Sequence, residues 1–200
     1  VVDAVTQGHL ELFRSLRDSY SAKVESALYT VPVAGGLPVK LPMYTAGAGD
    51  FSPDGKKLVY SPLFRDFRTW KRYEGGWAQD LFVYDLAAGT SKVIAPSKRT
   101  ERDPMWIGER IFFVSDRDGT LNLYSVAADG TGLEQLTKST TWDVRWASSD
   151  NVGKVVYELG GELRLWDVKA KAEKAIAITV PSDGLASRPS RVSAEKNVES

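Results

Sequence analysis

One pattern recurs four times along the chain and decides most of what it can fold into. An apolar-aromatic stretch, a turn of small residues and a second short apolar stretch appear as "ALYTVPVAGGLPVKLP" (27–42), "DLFVYDLAAGTSKVIAP" (80–96), "NLYSVAADGTGLEQLT" (122–137) and "RLWDVKAKAEKAIAI" (164–178). Aligning Tyr29, Phe82, Tyr124 and Trp166 gives spacings of 53, 42 and 42 residues. A second pattern precedes the last three copies: "DFSPDGKKLVYSP" (50–62), "DPMWIGERIFFVSDRDG" (103–119) and "DVRWASSDNVGKVVYELGG" (143–161). Each is a short strand ending in Phe or Trp, a tight turn and another apolar strand. Together the two patterns define a unit of about 42 residues with four short strands and three turns.

The turns carry their own chemistry. Asp54-Gly55 and Asp129-Gly130 supply the positive φ that tight hairpins need. Period-two alternation in "KKLVYS" and "ELRLWDV" implies that one face of each strand packs while the other is exposed or faces the next sheet. Residues 170–176, "AKAEKAI", have helical propensity, but the repeat register makes them turn plus strand. A single four-stranded sheet of this size cannot bury both faces. Stacking such sheets radially does, and repeats of about 40–45 residues with four strands are the signature of a β-propeller. A β-sandwich is the competing architecture, but it needs no fixed four-strand period.

The fold class expected is therefore all-β, a β-propeller of four-stranded blades. The chain's 200 residues at about 42 per blade give four to five blades, a partial propeller. A single propeller segment is expected over residues 1–200, with blade units at roughly 1–45, 46–98, 99–138 and 139–182 and the start of a next blade at 183–200. "LFRSLRD" (12–18) matches "FFVSDRD" (112–118) at Phe13/Phe113, Ser15/Ser115, Arg17/Arg117 and Asp18/Asp118, so the chain is expected to open inside a blade. "SRPSRVS" (187–193) resembles the first strand of another. The alternative is that the two terminal strands pair and close a four-bladed ring.

Charge narrows the function classes. Lys and Arg number 26, as do Asp and Glu. A nucleic-acid binder usually needs a net basic field, so nucleic acid is not an expected partner. There is no cysteine, which removes disulfides and thiolate zinc sites. No apolar run approaches the roughly 20 residues that span a bilayer. The chain does not begin with methionine and "VVDAVTQGHLELF" lacks the pattern of a signal peptide. The true start is expected to lie upstream, and periplasmic and cytoplasmic settings both stay open.

No complete catalytic set is visible. His9 is the only histidine and is expected at a strand edge or on the surface. No G-x-S-x-G elbow occurs. "SDRDGTLN" (115–122) places Asp116, Asp118 and Asn122 around Gly119, but position 125 is Ser where a calcium loop needs Glu. A hairpin turn with capping Asp residues is the expected role, and no metal or cofactor is expected. Trp166-Asp167 has the form of a WD dipeptide and reads as blade-to-blade packing. Trp106, Trp142 and Trp146 fall at or beside first strands, which line the central channel in propellers; most are expected in blade-to-blade core, and one or two as channel-lining residues. Asp103 and Asp143 precede equivalent first strands, so both are expected on one rim of the channel.

Residues 61–80, "SPLFRDFRTWKRYEGGWAQD", break the period. The stretch lies between the second and third strands of its unit, where other units have a short turn. It is an insertion at a hairpin, packing over its own blade through Phe64, Phe67, Trp70 and Trp77, or a rim loop that meets a peptide or another subunit. The candidate peptide- or partner-binding residues are Arg65, Arg68, Trp70, Arg72, Tyr73, Glu74 and Trp77 from the insertion, with Asp103 and Asp143 from the rim. Aromatic faces and Arg forks grip backbone and side chains with little sequence demand.

"FSPDGKKLVYS", "SDRDGTLNLYSVAADGTGLEQLT" and "GGELRLWDV" resemble the repeats of TolB and of the amino-terminal half of tricorn-type serine peptidases. "YSPLFRDFRTWKRYEGGWAQDLFVYDL", "RDPMWIGERIFFVSDRDGTLNLY" and "STTWDVRW" resemble the bacterial tricorn-type propeller in particular. The resemblance implies a six- or seven-bladed domain followed by a second β domain, a PDZ-like module and a catalytic module with the nucleophilic serine. Nothing in this chain matches that last part. It implies a non-catalytic propeller segment that gates, filters or docks peptides or unfolded polypeptide, within a possible homo-oligomer. A TolB-like interaction scaffold and a glycan-binding propeller are the alternatives.

Overall fold

A computed structural model describes residues 5–7, 10–17, 26–63 and 71–179, with single residues 181, 184, 187 and 195. His9 and residues 188–193 lie outside the described residues, as do Arg65, Arg68 and Trp70. The described chain folds into four antiparallel four-stranded sheets, each a meander in sequence order. Blade one holds β1 (Val5–Gln7), β2 (Leu10–Ser15), β3 (Ala27–Pro32) and β4 (Val39–Lys40). Blade two holds β5 (Ala48–Phe51), β6 (Lys57–Ser61), β7 (Leu81–Asp85) and β8 (Thr90–Ile94). Blade three holds β9 (Glu101–Ile107), β10 (Arg110–Ser115), β11 (Asn122–Ala127) and β12 (Glu134–Gln135). Blade four holds β13 (Val144–Ser149), β14 (Lys154–Leu159), β15 (Glu162–Asp167) and β16 (Ala172–Ala175). The expected fold class is the observed one, and residues 170–176 do form turn plus strand.

The blades stack face to face because their middle strands are apolar on both sides. In β10, Ile111 and Phe113 pack against Val59, Leu81, Val83 and Ile94 of blade two. The alternate residues Phe112 and Val114 pack against Val144, Val155, Tyr157 and Trp166 of blade four. In β6, Val59 faces blade three while Leu58 and Tyr60 join Leu12 and Leu28 of blade one. Burying such a side chain contributes about 1.5–3 kcal/mol. On blade four the pattern relaxes: Leu163 is exposed, and so is β16 along its length.

Polar side chains join the blades where backbone groups would otherwise be stranded. Asp50 of β5 is buried, yet it accepts from the Trp106 N–H at 2.7 Å and from Asn151 Nδ2 at 3.0 Å. One carboxylate thus links three blades. Burial pushes the Asp50 carboxyl above the usual carboxylate range, and the hydrogen bonds from Trp106 and Asn151 counteract that. An arginine stacked on two rings of its own blade is repeated. Arg117 stacks over Phe113 and Tyr124, 5.3 and 5.2 Å from the ring centroids, and its Nε donates to Ser115. Arg17 stacks over Phe13 and Tyr29 at 5.3 and 5.0 Å, and its Nε donates to Ser15. The Arg17/Arg117 sequence match therefore corresponds to the same stacking in two blades.

Truncating Phe113 to alanine is expected to lower unfolding free energy by about 3–5 kcal/mol, because a large cavity opens between blades two and three. Val152→Ala, at a side chain 84% exposed, should stay within about 0.5 kcal/mol. Denaturant titration of both variants checks the contrast.

Candidate functional site

The insertion of blade two leaves β6 at Ser61 and returns to β7 at Leu81. Its neck is closed by backbone and amide bonds. Gln79 Nε2 donates to the Leu63 carbonyl at 2.7 Å, and the Gln79 carbonyl accepts the Glu101 N–H at 2.7 Å. Beyond the neck, residues 71–74 cross onto blade three rather than lying over their own blade. Arg72 anchors the crossing. Its N–H donates to Asp116 Oδ2 at 3.2 Å, its Nε to the Gly119 carbonyl at 2.7 Å, and its carbonyl accepts from Arg99 Nη1 at 2.7 Å. Arg72 has φ of 55°, a left-handed conformation costing roughly 1–2 kcal/mol in a residue with a Cβ, which these bonds offset. Glu74 pairs with Arg99 Nη2 at 2.9 Å, and Lys71 reaches Asp143 at 2.5 Å. The tail of a blade-two hairpin therefore ends beside the first strand of blade four.

Asp116 serves both sides of this crossing. Its Oδ1 accepts the Thr100 N–H at 2.9 Å while Oδ2 holds Arg72. Asp118 accepts from the Tyr124 hydroxyl at 2.6 Å. Asn122 holds the segment entering blade four, through the Thr137 hydroxyl and the Ser139 N–H. The "SDRDGTLN" turn is thus a hub of protein hydrogen bonds, with Gly119 at φ of 103° making the turn.

Between the tail and blades three and four lies a cleft of about 190 Å3, with Lys71, Arg72, Arg102, Arg145, Asp116 and Asp143 among its lining residues. Four cations and two carboxylates line it, and Arg102 is paired with Asp103 just outside the lining, which leaves a surplus of one positive charge in a chain that is neutral overall. The Arg102 guanidinium sits 5.9 Å from the Trp146 ring centroid, making an aromatic wall beside the cations. Lys71, Asp143 and Arg145 also line a second cleft with Trp142 and Glu158. Such a lining suits an acidic or carboxylate group carried on an extended chain.

The expected site residues divide. Arg72, Tyr73 and Asp143 line the cleft together. Glu74 lies on the same tail but is held by Arg99, and Trp77 lies at its base, 49% exposed. Asp103 is elsewhere. It does not precede its strand but sits inside β9 at a bulge, with φ of 52° and an ion pair to Arg102 at 3.0 Å. The matching bulge of β13 falls at Trp146, with φ of 54°. Strand register therefore makes Trp146, and not Asp143, the counterpart of Asp103. Trp142 and Trp146 are also exposed rather than core, unlike Trp106. Sequence reasoning missed Lys71, Arg102, Arg145 and Asp116, which no local motif connects. Arg102 and Arg145 share a place one residue before a bulge, and that equivalence is visible only in the strand register.

The match to the tricorn protease N-terminal β-propeller domain family covers residues 1–172. The chain belongs to that family. A tricorn protease homolog of Saccharolobus solfataricus is 29% identical over 80% of this chain, which spans 15% of that protein. Tricorn protease homolog 1 of Streptomyces coelicolor is 34% identical over 66% of the chain and 12% of its own length. The chain thus spans a small part of the curated relatives it matches. The TolB structure from Agrobacterium tumefaciens superposes with a TM-score of 0.66 at 21% identity, over 84% of this chain and 61% of that one. The crystal structure of the tricorn protease gives 0.53 at 19%, over 88% and 22%. These two likenesses show the propeller fold. No described helix is long and apolar enough to cross a membrane.

Asp116→Ala strips two backbone N–H groups of their acceptor and should lower stability by about 1–3 kcal/mol. It should also speed tryptic cleavage after Lys71 and Arg72 several-fold. Asp118→Ala, which leaves the tail contacts in place, should not change that cleavage. Limited proteolysis with mass spectrometry reads both.

Proposed function

We propose that this propeller segment docks and orients peptides for a peptidase centre that lies outside this chain. The observation that carries the reading is the family match over residues 1–172. The cleft beside the insertion supplies a physical means. Its surplus of positive charge attracts an acidic side chain or a free carboxyl terminus, and Trp146 offers a flat apolar contact beside it. Ion pairs and stacking of this kind hold an extended chain without demanding one sequence. The insertion shapes the cleft, because Lys71, Arg72 and Tyr73 form one of its walls. In this reading the insertion acts as a filter on what enters.

The segment itself should hydrolyse no fluorogenic peptide. Turnover by the purified chain that a serine-directed inhibitor abolishes would overturn the reading. In the full-length protein, the double variant Lys71→Ala, Arg145→Ala should raise KM for peptides bearing acidic groups about tenfold, the loss of about 1.4 kcal/mol of binding, and leave kcat unchanged. Steady-state kinetics on acidic and neutral peptides of equal length make the comparison; equal changes for both would count against a charge-reading cleft.

A further inference from the structure

Lys71, Asp143 and Arg145 line both clefts, and of the three only Arg145 is uncommitted. Lys71 and Asp143 pair with each other, and Asp143 also accepts the Leu121 N–H at 3.2 Å. Of the other cations, Arg102 pairs with Asp103, and Arg72 is anchored on Gly119 and Asp116. The Arg145 side chain makes no hydrogen bond, ion pair or ring contact among the described residues. Glu158 lies across the β13–β14 ladder from it, but the Glu158 carboxylate is turned to the Gly161 N–H at 2.9 Å. The surplus positive charge therefore rests on Arg145, an exposed guanidinium that opens onto both clefts.

The second cleft differs in character. Lys71 and Arg145 are balanced there by Asp143 and Glu158, and its wall is Trp142. That indole is 62% exposed, yet it is held in place. Ser139 Oγ accepts the Trp142 N–H at 3.3 Å and donates to the Trp142 carbonyl. Asn122 in turn grips the Ser139 N–H at 2.8 Å and its carbonyl at 2.9 Å. The ring lies on Gly160 of the β14–β15 turn, where a Cβ would come within 2.9 Å of Trp142 Cδ1. Gly160 has φ of 62° and Gly161 of 88°, so the backbone of the turn also disfavours side chains. A ring seated on bare backbone with an open face loses little freedom when a second group stacks on it.

We propose that Arg145 and Trp142 form a specificity-determining pair: Arg145 takes the carboxylate of an acidic residue, and Trp142 takes the aromatic side chain of a residue two positions away. A free guanidinium fork matches a carboxylate with two parallel hydrogen bonds. A charge-balanced cleft with an indole wall suits an uncharged ring instead. The spacing follows from the shared walls. Side chains that enter both clefts must leave the same side of an extended ligand, as residues two apart do, about 6.6–7 Å from each other. Arg145 and Trp142 are three positions apart, at most about 11 Å of backbone, so one short peptide reaches both. The inference rests on the docking reading and narrows it to peptides that carry an acidic and an aromatic residue in that register.

The test uses full-length protein treated with a serine-directed inhibitor, so that bound peptide is not cleaved. It is titrated into dye-labelled peptides of equal length that differ only in a central Glu-Ala-Phe, Ala-Ala-Phe, Glu-Ala-Ala or Glu-Phe-Ala, and binding is read by fluorescence anisotropy. The Glu-Ala-Phe peptide should bind about fivefold more tightly than each of the other three. Arg145→Ala should abolish the preference for Glu, and Trp142→Ala the preference for Phe. Trp142→Phe, which keeps a ring, should retain most of the latter. A Glu preference that survives Arg145→Ala, a Phe preference that survives Trp142→Ala, or equal binding of Glu-Ala-Phe and Glu-Phe-Ala overturns the proposal. The docking reading outlives that result if the Lys71→Ala, Arg145→Ala double variant still binds acidic peptides more weakly than the wild type does. Wild-type protein that binds none of the four overturns both.

Discussion

Everything in this structure depends on the fact that a four-stranded blade has two apolar faces and cannot cover either one alone. In β10 the run Ile111-Phe112-Phe113-Val114 alternates between a neighbour on each side. Remove blade two and Ile111 and Phe113 are bare; remove blade four and Phe112 and Val114 are. Stability is therefore shared between neighbours, as in other stacked repeats. It also explains the continuous apolar runs in the middle strands, where a sheet with one wet face would alternate with polar residues.

Apolar stacking alone would let blades slide. Buried polar groups fix the geometry. Asp50 bonds to Trp106 and Asn151 in the next two blades. Arg117 ties the Ala95 carbonyl of blade two to Glu101 of blade three while lying on Phe113 and Tyr124. Asp116 joins the blade-three turn to the insertion of blade two. Each such group is costly if left unpaired, which makes the arrangement specific in a way that packing is not. The insertion exploits the same chemistry to build a cleft wall from a loop that starts on one blade and ends beside another.

The fold was legible in the sequence because its signals are local. The spacing of Tyr29, Phe82, Tyr124 and Trp166, the Asp-Gly turns and the two-residue alternation each report on neighbours along one strand or hairpin. The insertion's position between β6 and β7 was legible for the same reason. The site was only partly so. Arg72, Tyr73 and Asp143 were in view as an aromatic-basic stretch and a strand-entry acid. Arg102 and Arg145 were not, because their meaning depends on a bulge that shifts the register between β9 and β10 and between β13 and β14. A one-residue bulge is silent in an alignment by motif, so Asp143 was matched to Asp103 when Trp146 is its counterpart.

What the sequence determined by itself is the repeat: four-stranded sheets, their strand order, and the place where the period is broken. What only the tertiary structure decided is that residues 71–74 cross onto blade three and which charges they meet there. The reason is physical. Periodicity and turn chemistry act over a few residues of chain, whereas contacts between blades are set by how whole sheets stack and where their strands bulge. Charge pairing across that stacking has no local signature to read.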